Sequence, residues 1–190
     1  MRIEDGIYFS PTLKYRDVEL DNPEMLIQAF RDRINGFYLG PIKKLNEDND
    51  AFAAGLLCVT TMDVLSRLKS NIEEVRKRYV HWLATEIPEF AQRLPSKKQI
   101  VADLFYKHFR NGLVNEGRIK DGGQFSYIFG GMITVENQFM IVNPLQLADN
   151  IESVFNRYMA EVLTSPEEFQ SFSKMIIRDF GAEIERAKSD

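Results

Sequence analysis

"FRNGLVNEGR", residues 109–118, decides where the helical part of this chain stops and what the stop is for. Upstream of it the pattern is helical. Ile100, Val101, Leu104, Phe105 and Phe109 recur at helical spacing, and Ser96 and Gln99 have capping-box spacing ahead of them. Downstream, "GRIKDGGQFSYIFGGMITVENQFMIVN" brings glycine pairs, β-branched and aromatic residues and some alternation. Two or three short strands are expected there, as a hairpin or meander at about 124–142, with turns at Gly130–Gly131 and at 137–138. Within the quoted stretch two readings compete. In the first, Arg110 answers the dipole in the last turn of a helix that Gly112 ends as a left-handed C′ residue. Asn115 and Gly117 then belong to the following turn. In the second, Arg110 and Asn115, four residues apart in between, are what remains of a catalytic pair.

The punctuation elsewhere is helical too. Asn22 and Pro23 open a helix whose apolar face is Leu26, Ile27, Phe30, Ile34, Phe37 and Tyr38, and "LGP" at 39–41 weakens or ends it. A second helix begins near Asp48 or Asp50 with Leu56, Val59, Met62, Leu65 and Leu68 inward. Ser70 and Glu73 start a third, or bend the second. It carries Val75, Tyr79, Trp82, Leu83 and Ile87, and Pro88 stops it. Asn143 and Pro144 cap a helix with Leu147, Ile151, Val154, Phe155, Tyr158 and Val162 inward. Ser165, Pro166 and Glu168 begin the last, with Phe169, Phe172, Ile176 and Phe180 inward. The segment before Asp21 reads as an arm or a short strand. A mainly α fold follows, a helical bundle with a small β insertion, expected as one domain over 1–190 with residues 1–20 as an N-terminal arm.

Composition narrows the function classes. The chain is 44% hydrophobic and 27% charged, with net charge −4, one cysteine and two histidines. Those values are ordinary for a globular protein. One thiol makes no internal disulfide, and Cys58 in "AAGLLCVTTM" reads as a small buried hydrophobe. The N-terminus lacks an apolar signal region, and no run approaches about 18 uncharged apolar residues. A cytoplasmic protein with no membrane segment is therefore expected. His81, His108 and Cys58 form no zinc pattern, and no Walker loop, dinucleotide fingerprint or G-x-S-x-G elbow occurs. No metal or other cofactor is expected.

Charge is uneven. Residues 97–120 hold six bases (Lys97, Lys98, Lys107, Arg110, Arg118 and Lys120) against Asp103 and Glu116, whereas residues 145–190 hold five bases and nine acids. "RKR" at 76–78 extends the basic region. It reads either as solvated helix faces or as a phosphate track, with Tyr79, Tyr106 or Phe109 placed to meet bases.

Arg110, the polar Asn111 directly after it, and a polar residue after four intervening positions resemble the signature of HEPN domains, an arginine followed four to six residues later by a histidine. The resemblance is specific over 110–115 and its continuation "EGR", and covers the rest in outline. It implies a bundle of about five helices, a homodimer, and metal-independent cleavage of RNA in toxin–antitoxin or phage-defence settings. By that resemblance Arg110 clamps the scissile phosphate, Asn111 orients it, and Asn115 stands at the general acid–base position. Lys107, Arg118, Lys120 and Tyr106 are expected to contact single-stranded RNA. An antitoxin or defence-system protein is a further expected partner. Asparagine in place of histidine keeps hydrogen bonding but does not titrate near neutrality, and losing general acid–base help costs about 10²–10⁴-fold. Asn115 is either native, in a domain that binds RNA or nucleotide without cutting, or a deliberate His-to-Asn change. His108 reads as a surface or partly packed histidine, His81 as a satisfied structural one, and Glu116 as a proton acceptor only if its pKa is raised. Positions 110 and 115 diverge by about 140° on an unbroken helix. Either Gly112 breaks the helix, or the site is composite across two chains. The rival class is a non-catalytic interaction module whose exposed hairpin contacts a partner.

Overall fold

The computed structural model describes residues 2–3, 6–94, 99–136 and 139–189. The expected cap at Ser96, the bases Lys97 and Lys98 and the turn at 137–138 lie outside the described residues. In chain order the elements are strands β1 (Arg2–Ile3) and β2 (Gly6–Ile7), then helices α1 (Pro23–Ile34) and α2 (Gly40–Glu47) joined by a π turn at Asn35–Leu39. Helices α3 (Ala51–Leu68), α4 (Val75–Glu86) and α5 (Pro88–Ala91) follow. Next come α6 (Val101–Phe105), a second π turn at Tyr106–Arg110, and α7 (Asn111–Glu116). Strands β3 (Gly123–Phe125), β4 (Ile133–Glu136) and β5 (Phe139–Val142) precede α8 (Pro144–Thr164) and α9 (Pro166–Ser189). The fold is mainly α with a small sheet, as the sequence predicts. Its contacts divide into two compact units, residues 1–40 with 155–190, and residues 41–154.

In the first unit, Asn22 caps α1 by accepting from the Met25 N–H at 3.2 Å, with Pro23 at the first helical position. Phe30 is fully buried and packs on Phe155 and Phe172, with centroids 6.4 and 5.4 Å away. The expected arm is tied down. Phe9 is fully buried between Tyr15 and Phe180, and the Arg33 guanidinium lies over the Phe9 and Phe180 rings while donating to the Phe9 carbonyl. "LGP" does not end the helix. The π turn lets the Gly40 N–H reach back to the Asn35 carbonyl, five residues away, and α2 begins there with Pro41 in its first turn.

In the second unit, α3 is the central helix. Cys58, Val59 and Met62 are fully buried on it. By length and composition alone α3 is apolar enough to cross a membrane, but half of that window is buried and it carries Asp63 and Arg67. The Tyr79 hydroxyl of α4 donates to the Val59 carbonyl at 3.3 Å. Ser70 does not cap α4. Its hydroxyl accepts from the Ile72 N–H, and α4 starts only at Val75. Pro88 ends α4 and opens α5. A column of rings then joins α5, the α6 segment and the sheet. Phe90, Phe105, Phe109 and Phe125 follow one another at centroid spacings of 5.0, 4.9 and 5.0 Å. Gly55 admits the last ring, since a Cβ there would sit 2.1 Å from Phe125.

The sheet order is β3-β5-β4. β4 and β5 form the expected antiparallel hairpin, with Ile133 opposite Val142 and Glu136 opposite Phe139. β3 departs from a meander. It pairs parallel with β5, Gly123 beside Met140 and Phe125 beside Val142. The chain crosses from β3 through 126–132, around Gly130–Gly131, before returning as β4 on the far side. Alternation reports which face a residue takes, not the direction of its partner strand.

Candidate functional site

The helix that carries Arg110 does not end at Gly112. It runs from Val101 through the π turn to Glu116, and Gly117, with φ 65° and ψ 19°, is the left-handed residue that stops it. Arg110 is therefore not in a last turn, and Asn115 is helical. Gly112 has a different task. A Cβ there would lie 2.3 Å from the Arg118 carbonyl oxygen, because the chain returning from Gly117 folds back onto it. That return is fastened by the Arg118 N–H to the Gly112 carbonyl at 3.2 Å and the Lys120 N–H to the His108 carbonyl at 3.0 Å. His108 completes it, with Nδ1 at 2.8 Å from the Lys120 carbonyl. His108 is thus buried and structural rather than superficial. His81 goes the other way. It is exposed on α4, because the inward ridge of that helix is Arg78, Tyr79, Trp82 and Leu83. It lines a surface groove of about 450 Å³ with Ile72, Glu74, Arg76, Lys77, Val80 and Asp103.

Arg110 turns inward to α3. Its Nη2 donates to Asp63 Oδ2 at 2.5 Å, and its side chain is only 13% exposed. The other oxygen of Asp63 faces Arg78 at 3.6 Å, an ion pair without a hydrogen bond. Arg78 is itself anchored, donating to the carbonyls of Ile72 and Glu73 at 3.2 and 3.3 Å. The Tyr106 ring lies 5.7 Å from the Arg110 guanidinium carbon and packs edge-on against Tyr79. Burial alone pulls the Arg110 pKa down, but the hydrogen bond and charge of Asp63 reverse this and hold it above its ordinary value. Burial raises the Tyr79 phenol, which stays neutral.

Asn111 and Asn115 share the next face. The Asn115 amide donates to the Asn111 side-chain oxygen, one turn apart. Asn111 is half-buried and Asn115 exposed. The structure thus joins Asn111 to Asn115 and Tyr106 to Arg110. It does not bring Arg110 against Asn115, since the helix is unbroken and the two diverge by about 140° around its axis.

The basic side chains are largely answered. Lys107 pairs with Asp121 at 3.2 Å, Arg76 with Asp103 at 2.9 Å, and Lys77 with Glu74 at 2.7 Å. Arg118, at 2.9 Å, and Lys120 share Glu116. Lys120 is mostly packed away, whereas Lys107 and Arg118 are exposed. The Lys120 hydrogen bond and the charges of Lys120 and Arg118 hold the Glu116 carboxyl below its ordinary range. This is the opposite of the raised value a proton acceptor at neutral pH requires. Among the described residues no three His, Cys, Asp or Glu side chains converge as a metal site needs.

The sequence reading missed Asp63, and took Arg78 only as part of the basic run 76–78. The signal was present. Asp63 is an acid inside an 18-residue apolar helix, flanked by buried Met62 and Leu65, and such a carboxylate must find a cation. No family model matches the chain, and no curated protein or solved structure is found to be similar to it.

Proposed function

We propose that the chain is a HEPN-like, RNA-directed domain, a metal-independent endoribonuclease scaffold of the toxin or phage-defence kind, weakened at its acid–base position by Asn115. The observation that carries this reading is the placement of Arg110. It lies in the middle of a helix, on a π turn, and is held by a carboxylate from another helix. π turns inside α-helices recur at functional sites. A helix-dipole role would put the arginine in a last turn, and Gly117 stops the helix only seven residues after Arg110.

In this reading Arg110 presents its other terminal nitrogen, Nη1, to a backbone phosphate, since Asp63 takes Nη2 and Nε is buried. Two groups of charge bracket α7, each with two bases on one carboxylate. Arg78 and Arg110 share Asp63 before it, and Arg118 and Lys120 share Glu116 after it. Each group leaves one positive charge in surplus, the sign that attracts phosphate. Asn111 orients the phosphate or its neighbour. Asn115 keeps a donor and an acceptor but no proton shuttle. Because Arg110 and Asn115 point apart on one helix, the complete site is formed by two chains, Arg110 of one meeting position 115 of the other. Single-stranded RNA is the substrate, and an antitoxin or defence-system protein is a partner consistent with this setting, in the cytoplasm.

The test is cleavage of single-stranded RNA in EDTA by Asn115→His and by Asn115→His/Arg110→Ala. Cleavage by the first alone is expected. Cleavage by neither, or equally by both, ends the ribonuclease reading. A second reading, a protein-interaction module, is favoured by one observation. Ile128 is 92% exposed beside exposed Phe129, with Phe139 also exposed in the same small sheet region. RNA binding that is absent or insensitive to salt points to that module.

A further inference from the structure

We infer that Asp63 is a positioning residue for Arg110, setting the direction in which the guanidinium meets RNA. The inference rests on the ribonuclease reading above and adds a residue that no part of the Arg-Asn motif contains. Three features of the second unit carry it. Asp63 belongs to the buried central helix α3, and its carboxylate is 22% exposed, so its position is fixed by the core. Its two oxygens have different partners. Oδ2 accepts from Arg110 at 2.5 Å and Oδ1 faces Arg78 at 3.6 Å. Arg78 is tied to two backbone carbonyls of the α3–α4 connection, and so braces the carboxylate from behind.

The engagement with Arg110 is one-pronged. A carboxylate that neutralised the guanidinium as a closed pair would take two parallel N–H groups. Here only Nη2 is taken, and no other acceptor is found for Arg110 among the described residues. Tyr106 lies 5.7 Å from the guanidinium carbon. The arginine is thereby gripped at one nitrogen and set against a ring, with Nε buried, which fixes the guanidinium plane and leaves Nη1 untaken. A side chain with four torsions otherwise loses its rotamer freedom only on binding, so a prior grip raises affinity for phosphate without touching it.

Geometry and charge make opposite demands on substitutions. Asp63→Asn keeps an oxygen acceptor at the same reach and removes the charge. Asp63→Glu keeps the charge and moves the oxygens by one methylene. A positioning role predicts that Asp63→Asn binds single-stranded RNA within about threefold of the parent. Asp63→Glu and Asp63→Ala should bind about tenfold or more weakly, the effect of one lost charge-assisted hydrogen bond. The salt slope should fall by about 0.7, one phosphate contact on a single strand. The binding is measured by fluorescence anisotropy of a labelled oligoribonucleotide at several salt concentrations, with circular dichroism of each variant as the folding check. Arg110→Ala is the reference. If it weakens RNA binding while Asp63→Glu does not, the positioning inference alone is overturned. Asn losing affinity while Glu keeps it also overturns it, and makes Asp63 a charge balance only. Tighter binding by Asp63→Ala overturns it in favour of a carboxylate that competes with phosphate. If Arg110→Ala leaves binding unchanged, the ribonuclease reading and this inference fall together. Should Asp63→Ala fail to fold, the Asn and Glu variants decide the question between themselves.

Discussion

Replacing Gly112 by alanine separates a glycine that ends a helix from one that admits a neighbouring strand of chain. Gly112 is helical, so propensity alone gives Gly112→Ala a gain of about 1 kcal/mol. The added Cβ, however, meets the Arg118 carbonyl oxygen at 2.3 Å and the Lys120 amide nitrogen at 3.3 Å. Both are backbone atoms and cannot rotate away. The return segment must lift, and it is held by the Arg118 and Lys120 N–H bonds and by the His108 ring. Losing two of those three hydrogen bonds costs about 2 kcal/mol, and overpacking adds about 1–3 kcal/mol. The net effect is a loss of about 2–4 kcal/mol. For a chain of this length that lowers Tm by about 5–15 °C, at roughly 2–4 °C per kcal/mol. Thermal unfolding followed by circular dichroism reads it directly. A Tm equal to or above the parent's refutes the reasoning, since helix propensity would then have won and the return segment would not bear on Gly112.

Other consequences follow from the same contacts. Asn143→Ala removes the side-chain acceptor for the Leu145 and Gln146 N–H groups at the start of α8, and should cost about 0.5–2 kcal/mol in urea unfolding. Cys58 is fully buried and burial pushes its thiol pKa up, so a disulfide reagent at about pH 8 should label it only after denaturant is added. Glu116 should titrate below 4.5, its ordinary value, when followed by carbon NMR, and Lys120→Met should move it back up. The sign follows from the lowered folded value. The contribution of Glu116 to stability is present above pH 4.5 and is lost as pH falls through that lowered value.

Much of the helical framework was legible because local rules and burial agree there. Asn22, Asn143 and Ser165 each accept a backbone N–H at a helix start, where their side chains reach orphan donors. The apolar positions of α8, from Leu147 to Val162, are buried as their spacing implies. The errors cluster where backbone geometry or a distant partner decides. A π turn carries the helix past "LGP", another precedes α7, which runs on through Gly112, and spacing rules built on 3.6 residues do not register an inserted residue. Ser70 and Glu73 have the capping spacing, but Ser70 bonds two residues on and α4 starts later. β3 lies parallel to β5 because the chain crosses over, which alternation does not encode. At the candidate site the motif residues were visible, and their partner Asp63 was not. It lies 47 positions away on a helix read only for its apolar face. The basic count over 97–120 likewise omitted Asp121, which answers Lys107.

The central claim, that the Arg110 guanidinium meets RNA phosphate, is tested most directly by its own side-chain NMR signal. The Arg110 Nη1–H resonance, observed at low temperature and assigned by its disappearance in Arg110→Lys, is followed while a short single-stranded oligoribonucleotide is added in EDTA. The account predicts a saturable shift of that resonance that weakens as salt rises. An Arg110 signal that stays fixed while RNA binding saturates elsewhere contradicts it, and leaves the Asp63 pair as a structural contact of the core.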